Sequence, residues 1–207
     1  MLEAGLVAVT VGAVASLLAA IRAGDHVREV VSKAAASASF VALGLVRWDG
    51  DGTVGAWLVL GLVLCAAGDL LLLGRKTFDP GLATFLLGHV AYIAAFATAL
   101  PPVRWSWLPV LPLVAAAAAA TRWLWHHLGR RRLPVAVYIV AISVMVWGAC
   151  VVASAGALPW TVAVGAILFY LSDLAVARHR FVKAEFLNRG IGLPLYYAGQ
   201  VLIAMSI

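Results

Sequence analysis

The sequence predicts an all-α integral membrane protein that forms a single domain of eight transmembrane helices. Of its 207 residues, 64% are hydrophobic and only 12% are charged, and the mean hydropathy is +1.02. A soluble chain of this length exposes too much surface to be covered by so few polar residues. The apolar residues also form eight runs, each near the ~20 residues that cross about 30 Å of hydrocarbon. Together these observations exclude a soluble enzyme, a disordered chain and a nucleic-acid-binding protein.

Short polar connections separate the eight predicted spans. The spans cover residues 2–21, 31–47, 54–73, 81–100, 106–125, 134–154, 158–177 and 190–207. The first has no basic segment before it and carries Glu3, which favours a membrane helix over a cleaved signal peptide. The second is the least regular, because Lys33 and several serines interrupt its start. The fifth contains six alanines at 115–120, which allow neighbouring backbones to approach closely.

Lysine and arginine are distributed unevenly over the connections. Connections 1, 3, 5 and 7, with the adjoining span ends, hold Arg22, Arg28, Lys33, Arg75, Lys76, Arg122, Arg130, Arg131, Arg132, Arg178, Arg180, Lys183 and Arg189. Connections 2, 4 and 6 hold only Arg47 and Arg104. Because positively charged loops stay in the cytoplasm, this split predicts that both chain termini are non-cytoplasmic.

A short internal similarity relates spans 3 and 7. CAAGDLLLLGRKTF at 65–78 and FYLSDLAVARHRF at 169–181 each contain a small residue, an aspartate, a leucine, basic residues and a phenylalanine. The offset is four spans, an even number, so the two halves would have the same orientation. The pattern favours two parallel four-helix halves related by an axis along the membrane normal.

Familiar catalytic and metal-binding motifs do not occur in the chain. Cys65 and Cys150 lie in apolar runs without disulfide or zinc spacing. Two aspartates and a histidine could ligate a divalent metal, but no span carries a carboxylate-rich signature. The sequence therefore predicts neither a metal nor a cofactor.

Asp69 and Asp173 are carboxylates within apolar spans, whereas the other acidic residues lie in connections or at span ends. An ionisable group inside a membrane helix costs at least a few kcal/mol, so it is a candidate functional residue and should face the bundle interior. Both lie five or six residues before an arginine in spans of the same direction, so they share one depth. We expect them to converge on one site; the alternative is that they hydrogen-bond neighbouring helices or pair with arginines.

Other polar residues favour the same half of the membrane. The candidate supporting and substrate-binding residues are Lys33, His89, Tyr92, Tyr138, Asn188, Arg189, Tyr196, Tyr197 and Gln200. Several have an ordinary structural alternative: Lys33 as an interfacial anchor, His89 as an interhelical hydrogen-bonding group, and the tyrosines in packing. Their shared depth still indicates a polar site on the predicted cytoplasmic side.

These residues resemble the YhhN family of eight-span membrane proteins, which includes the lysoplasmalogenases. The resemblance extends over nearly the whole chain. It depends on Lys33, GDLLLL at 68–73, FDPGLATFLLGHVAYI at 78–93, GAILFYLSDLAVARHRF at 165–181 and LYYAGQVLIA at 195–204. It implies hydrolysis of the vinyl-ether bond of lysoplasmalogens, lysophospholipids of the bilayer, to a fatty aldehyde and a glycerophospho-alcohol. By position, Asp69 and Asp173 would be the catalytic pair.

Vinyl-ether hydrolysis needs an acid that protonates carbon near neutral pH. Burial and a second nearby carboxylate both keep one carboxyl of a pair protonated, while the other can stabilise the oxocarbenium ion and deprotonate water. The sequence does not indicate which aspartate takes which role. Lys33, Arg189 and the basic connections could hold the phosphate.

A proton-coupled transporter or a lipid-binding membrane protein is the alternative function. Such a protein would use Asp69 and Asp173 as relay sites, and internal repeats with intramembrane carboxylates are typical of transporters. Transporters also favour helices broken at matching positions, and Pro109, Pro112 and Pro194 are not matched between the halves. The sequence fixes neither the headgroup nor the oligomeric state.

Overall fold

The computed structural model describes residues 1–74 and 76–207, and in these it contains eight α-helices and no strand. The helices are α1 (Leu2–Ala23), α2 (His26–Arg47), α3 (Thr53–Leu71), α4 (Phe78–Ala99), α5 (Val110–Leu124), α6 (Arg132–Ser154), α7 (Trp160–Ala177) and α8 (Phe186–Ala204). A π-helical turn, Arg178–Val182, continues α7. The predicted all-α class and the eight helices are confirmed. Arg75, one of the residues used to predict orientation, lies outside the described residues.

Helix ends differ from the predicted spans where local chemistry overrides hydropathy. α2 begins at His26, five residues before the predicted start, because the Asp25 carboxylate accepts a hydrogen bond from the Arg28 backbone N–H and caps the helix. α5 begins only at Val110, because a proline-rich connection with a 3₁₀ turn at Pro102–Arg104 precedes it. α8 begins at Phe186, four residues before the predicted start.

Six of the described helices are long and apolar enough to cross a bilayer: α1, α2, α3, α4, α6 with its preceding turn, and α7 with its π-helical turn. α5 has only 15 residues, and α8 carries Asn188, Arg189 and Gln200. α8 nevertheless lies inside the bundle, where it packs against α1, α2, α3 and α7. The chain is therefore an integral membrane protein in which most of the polar helix α8 packs against other helices.

Two tightly packed helix pairs, α3 with α4 and α7 with α8, form the centre of the bundle. Glycines allow the close approach: a Cβ on Gly165 would lie 2.7 Å from the Gly199 carbonyl oxygen, and one on Gly88 would lie 2.8 Å from the Cys65 sulfur. α1 packs on α2, whereas α5 has few contacts beyond α6 and the π-helical turn. The α5–α6 pair thus differs from α1–α2, and the two-halves arrangement stays a prediction.

The aspartates lie near one end of the bundle. Asp69 is in the last turn of α3, and Asp173 is four residues before the end of α7. We call this end, formed by the α1–α2, α3–α4, α5–α6 and α7–α8 connections, the basic end. Among the described residues, the buried core elsewhere includes no other carboxylate, so both intramembrane aspartates lie toward the same end of the bundle.

Candidate active site

Asp69 is the centre of a buried polar cluster that joins three helices. Its Oδ1 lies 3.1 Å from Lys33 Nζ, and its side chain is only 3% exposed. Its Oδ2 accepts hydrogen bonds from Ser37 Oγ at 2.7 Å, Tyr196 Oη at 2.8 Å and Tyr197 Oη at 3.5 Å. Lys33 and Ser37 are four residues apart on α2 and therefore share a face. The Asp69 side chain thus forms one ion pair and accepts three hydrogen bonds.

Asp173 has fewer partners and more space. Tyr138 Oη donates to its Oδ2 at 2.8 Å, and His89 Nε2 lies 3.5 Å from the same oxygen. The Asp173 side chain is 19% exposed, whereas His89 is fully buried. Neither ring nitrogen of His89 has a partner with hydrogen-bond geometry among the described residues. His89 is therefore an electrostatic neighbour of Asp173, and Tyr138 is its hydrogen-bond donor.

An aromatic layer connects the two carboxylate clusters. Tyr196, which donates to Asp69, packs edge-on against Phe169 with ring centroids 5.3 Å apart. Phe169 lies 4.7 Å from the His89 ring, and His89 lies 5.0 Å from the ring of Tyr138. Packed aromatic rings at these separations restrict one another's orientation. The layer therefore fixes the groups that surround both aspartates.

One cavity contains both aspartates in its wall. Its polar lining residues are Lys33, Asp69, Tyr138, Tyr170, Ser172, Asp173, Arg180 and Tyr196. Apolar residues of α4, α5, α6 and α7 form most of the remaining wall. The cavity has a volume of about 110 Å³, compared with the roughly 10–15 Å³ that one water molecule needs on the same measure. We call it the carboxylate cavity; it can admit both an apolar chain and water.

Tyr170 is a further polar residue of the carboxylate cavity. It precedes Asp173 by three residues on α7, so the two share a helix face. Its buried hydroxyl has no hydrogen-bond partner among the described residues. Because a buried hydroxyl without a partner is costly, Tyr170 is available to donate to a molecule in the cavity.

A second, more polar cavity, here called the vestibule, lies beside the carboxylate cavity at the basic end. Its polar lining residues are His26, Glu29, Lys33, His179, Arg180, Asn188 and Arg189. Lys33 and Arg180 line both cavities. The predicted residues Asn188 and Arg189 therefore lie in the vestibule rather than beside the aspartates.

Asn188 and Arg189 already have protein partners in the vestibule. Arg189 forms an ion pair with Glu29 of α2. Asn188 accepts a hydrogen bond from Arg178 Nη1 at 2.5 Å and donates one to the Lys183 carbonyl oxygen at 2.7 Å. These contacts hold the α7–α8 connection against α8. Arg189 is thus less available for a phosphate than the sequence implied.

Tyr92 and Gln200 are the two predicted residues that line neither cavity and contact neither aspartate. Tyr92 Oη donates to Gln200 Oε1 at 2.7 Å, and both side chains are fully buried. The Tyr92 ring fills the space left by Gly61, where a Cβ would lie 2.3 Å from the ring. The pair links α4 to α8 in the core. The remaining predicted residues gather around Asp69, around Asp173 or in the vestibule.

Sequence reasoning did not single out Ser37, which donates to Asp69, or Tyr170 and Arg180, which line the carboxylate cavity. Ser37 and Tyr170 each share a helix face with a predicted residue, so helical spacing was a usable signal. Arg180 belongs to a run of basic residues, and the sequence does not distinguish it from its neighbours. Among the residues that the structure describes, no three His, Cys, Asp or Glu side chains gather as metal ligands.

Comparison with known proteins gives a family match and several named relatives. The YhhN family model matches residues 28–207. A protein named lysoplasmalogenase from Mycobacterium bovis is 38% identical over 160 residues, covering 71% of this chain and 58% of that protein. Lysoplasmalogenase TMEM86B of Rattus norvegicus is 34% identical over 155 residues, covering 72% of this chain and 61% of that protein.

A more distant relative shows the same pattern of coverage. Lysoplasmalogenase TMEM86A of Homo sapiens is 28% identical over 157 residues, covering 72% of this chain and 64% of that protein. The chain thus spans less than two thirds of the length of these relatives. No solved structure matches the chain significantly.

Proposed function

This chain belongs to the YhhN family, and from that premise we propose that it hydrolyses the vinyl-ether bond of lysoplasmalogen-type ether lysophospholipids. The products are a fatty aldehyde and a glycerophospho-alcohol. The observation that carries the proposal is the presence of Asp69 and Asp173 in the wall of one largely apolar cavity. The names of the relatives support the same activity.

The proposed reaction has three steps and consumes one water. A carboxylic acid protonates the vinyl carbon remote from oxygen, which leaves an oxocarbenium ion. Water adds to the cationic carbon and loses a proton to a carboxylate, giving a hemiacetal. The carbon–oxygen bond to glycerol then breaks as the glycerol oxygen takes a proton from one carboxyl group and the hemiacetal hydroxyl gives its proton to the other carboxylate, and the aldehyde forms. Each proton transfer needs a group within hydrogen-bond reach, which a pair of carboxyl groups can supply.

The contacts of the two aspartates suggest a division of roles. Asp69 is held by Lys33 and three hydroxyl donors, so we assign it the ionised role of stabilising the oxocarbenium ion and accepting the water proton. Asp173 has one neutral donor and the more accessible side chain, so we assign it the proton-donor role. The sequence leaves this choice open, and the contacts support the proposed assignment.

Three residues near Asp173 support the proton-donor role. Tyr138 fixes one carboxyl oxygen by donating to it, and the His89 ring limits the movement of the carboxyl group. Both are positioning residues in this proposal. Tyr170, with its unpartnered hydroxyl, donates to the ether oxygen and assists departure of the glycerol group.

The proposal includes an orientation in the membrane. Both termini are non-cytoplasmic, and the carboxylate cavity opens toward the cytoplasmic leaflet. The distribution of basic residues supports this orientation, since thirteen of the fifteen Lys and Arg residues belong to the basic end. Arg180, on the connection after α7, lies in the walls of both the carboxylate cavity and the vestibule.

Aldehyde release by the purified protein tests the proposed function. The full chain in detergent micelles is incubated with a 1-alkenyl lysophospholipid, and the aldehyde is measured with a coupled dehydrogenase. The matched control is the 1-alkyl lysophospholipid, whose saturated ether cannot form an oxocarbenium ion by protonation of carbon. We expect aldehyde from the alkenyl lipid alone; no aldehyde from a folded sample would contradict the proposal and favour transport or lipid binding.

A further inference from the structure

Arg180 lies at the boundary between the carboxylate cavity and the vestibule. It belongs to the π-helical turn after α7, and its guanidinium carbon lies 4.1 Å from the centre of the Phe78 ring. Phe78, Arg180 and Lys33 contribute to the walls of both cavities. A molecule that extends from one cavity into the other must therefore pass Arg180.

The charge of Arg180 is not matched by a carboxylate. Lys33 pairs with Asp69, and Arg189 pairs with Glu29. Among the residues that the structure describes, Arg180 forms no ion pair. Its guanidinium stacks on the Phe78 ring, and the carboxylate that its charge also reaches, Asp79, forms its ion pair with Arg131. The imidazole rings of His26 and His179 also line the vestibule. The vestibule therefore has an excess of positive charge, centred on Arg180.

We propose that Arg180 binds the phosphate of the substrate headgroup and that the vestibule is the headgroup site. This inference rests on the proposed function. The glycerol group separates the reacting ether from the phosphate, so a lysophospholipid with its ether at the aspartates extends toward a neighbouring anion site. Arg180 lines both cavities and, unlike Lys33, forms no ion pair among the described residues. The apolar chain then lies among the α4, α5 and α6 residues of the carboxylate cavity.

The geometry of Arg180 suits a phosphodiester. Stacking on Phe78 restricts the plane of the guanidinium and leaves its N–H edge available for two parallel hydrogen bonds. A lysine in the same place would supply charge without this planar edge. Arg180 would thereby bring the vinyl ether to a fixed position relative to Asp69 and Asp173. It would also select phospholipids over uncharged ether lipids of the same chain length.

Binding of an unreactive lipid tests the assignment without requiring turnover. The probes are a 1-alkyl lysophospholipid and the 1-alkylglycerol of the same chain, which lacks the phosphate. We expect Arg180→Gln to raise the Kd of the lysophospholipid about 10- to 100-fold, the loss typical of a charge-assisted pair, and to leave alkylglycerol binding unchanged. The Kd of Arg180→Lys for the lysophospholipid should lie between the values of wild type and Arg180→Gln.

The matched control is Arg132→Gln. Arg132 also stacks on an aromatic ring, lying 5.0 Å from the centre of Trp125, but it lines none of the cavities described. This variant loses the same charge and a similar contact, so we expect wild-type binding of both lipids. Thermal unfolding of each variant checks that the fold is retained.

Three outcomes would overturn the headgroup assignment. They are unchanged lysophospholipid binding by Arg180→Gln, an equal loss for both lipids, and protection of the wild type from unfolding by inorganic phosphate without any preference for the phosphorylated lipid. The last outcome would instead indicate a site for free anions. Failure of the proposed function appears separately, as an absence of aldehyde from wild type, while the binding comparison still reports on Arg180.

Discussion

Asp69 and Asp173 are chemically identical residues in two different environments. Asp69 has a lysine and three hydroxyl groups around it, whereas Asp173 has one tyrosine and a histidine at 3.5 Å. A carboxylate with many donors is stabilised as the anion, and one with few donors in an apolar wall can act as an acid. Two carboxyl groups with separate roles are what a combined acid–base reaction requires.

The buried pair of Lys33 and Asp69 gives a stability prediction. Lys33→Met leaves the Asp69 carboxylate buried without its counter-charge, so we expect the free energy of unfolding to fall by about 3–5 kcal/mol. Thermal unfolding in detergent measures the loss. Adding Asp69→Asn to Lys33→Met should recover part of this stability, because the unpaired charge is then removed.

Lys183→Met is the control, because it breaks the exposed pair with Glu185 and should lower the free energy of unfolding by less than about 1 kcal/mol. An equal loss in Lys33→Met and Lys183→Met would contradict the prediction.

The unpartnered Tyr170 hydroxyl gives a prediction that separates activity from stability. Tyr170→Phe removes one oxygen that has no partner in the described protein, so the unfolding temperature should stay the same or rise. Aldehyde release should fall roughly five-fold, the value of one hydrogen bond of about 1 kcal/mol in the transition state.

Tyr92→Phe is the comparison variant for Tyr170→Phe. It breaks the buried hydrogen bond to Gln200 outside both cavities, so it should lower the unfolding temperature and leave the rate nearly unchanged. If Tyr170→Phe retained full activity, Tyr170 would have no part in the reaction.

For single residues, the sequence reveals those that are unusual for their surroundings. A carboxylate inside an apolar run is recognisable without a structure, so Asp69 and Asp173 could be selected as candidates. Ser37 and Tyr170 are common in membrane helices and matter only through their neighbours. Arg180 is one of several arginines near the end of α7, and its lack of a carboxylate partner depends on the fold.

The close contact between α7 and α8 determines how two parts of the site meet. α7 carries Asp173 and Tyr170, and α8 carries Tyr196, which donates to Asp69. Gly165 and Gly199 allow these helices to approach until a Cβ on either one would lie 2.7–2.8 Å from the other's carbonyl oxygen. Because backbone atoms cannot move away as a flexible side chain can, the contact tolerates only glycine.

Gly165→Ala tests this contact. The added methyl group forces α7 and α8 apart, and we expect a loss of about 1–3 kcal/mol in stability, measured by thermal unfolding. Gly12→Ala on α1 is the matched control, since nothing lies within 4 Å of its Cβ position. It should be neutral or stabilising by up to about 1 kcal/mol, because alanine favours a helix. A similar unfolding temperature for Gly165→Ala and wild type would mean that the helices adjust without cost.

Helix number could be predicted from hydropathy, but helix ends could not. The cap formed by Asp25 starts α2 well before its apolar residues, and the prolines before α5 delay that helix. Hydropathy reports where a helix can be buried, whereas its ends depend on single hydrogen bonds and on proline geometry. The structure was also needed to reveal that most of α8, despite its polar residues, packs against other helices.

For the whole molecule, the family resemblance is confirmed by the match to residues 28–207. The orientation remains a prediction and can be measured with single cysteines. In a background without Cys65 and Cys150, a cysteine at Glu3 or Asp49 should react with an impermeant maleimide from the non-cytoplasmic side. A cysteine at Arg130, in the α5–α6 connection, should react only from the cytoplasmic side. Reversed labelling would contradict the predicted orientation.

The placement of both intramembrane aspartates near one end of the bundle connects the fold with the proposed chemistry. The carboxylate cavity holds both aspartates between apolar walls, and the vestibule beside it holds the charged residues. An amphiphilic substrate has the same division between an apolar chain and a charged headgroup. The proposed function therefore depends on Asp69 and Asp173 acting as one unit within that cavity.

Aldehyde release by Asp173→Asn tests this dependence most directly. The amide can still accept the Tyr138 hydrogen bond and leaves no buried lysine unpaired, so the variant should fold like wild type. Asp69→Asn lacks this advantage because it leaves Lys33 without its partner. We predict a loss of about 10²- to 10⁴-fold in the rate of aldehyde release from a 1-alkenyl lysophospholipid, with an unchanged unfolding temperature. The double variant should be little slower than Asp69→Asn alone. Near-normal aldehyde release by folded Asp173→Asn would contradict the two-carboxylate mechanism.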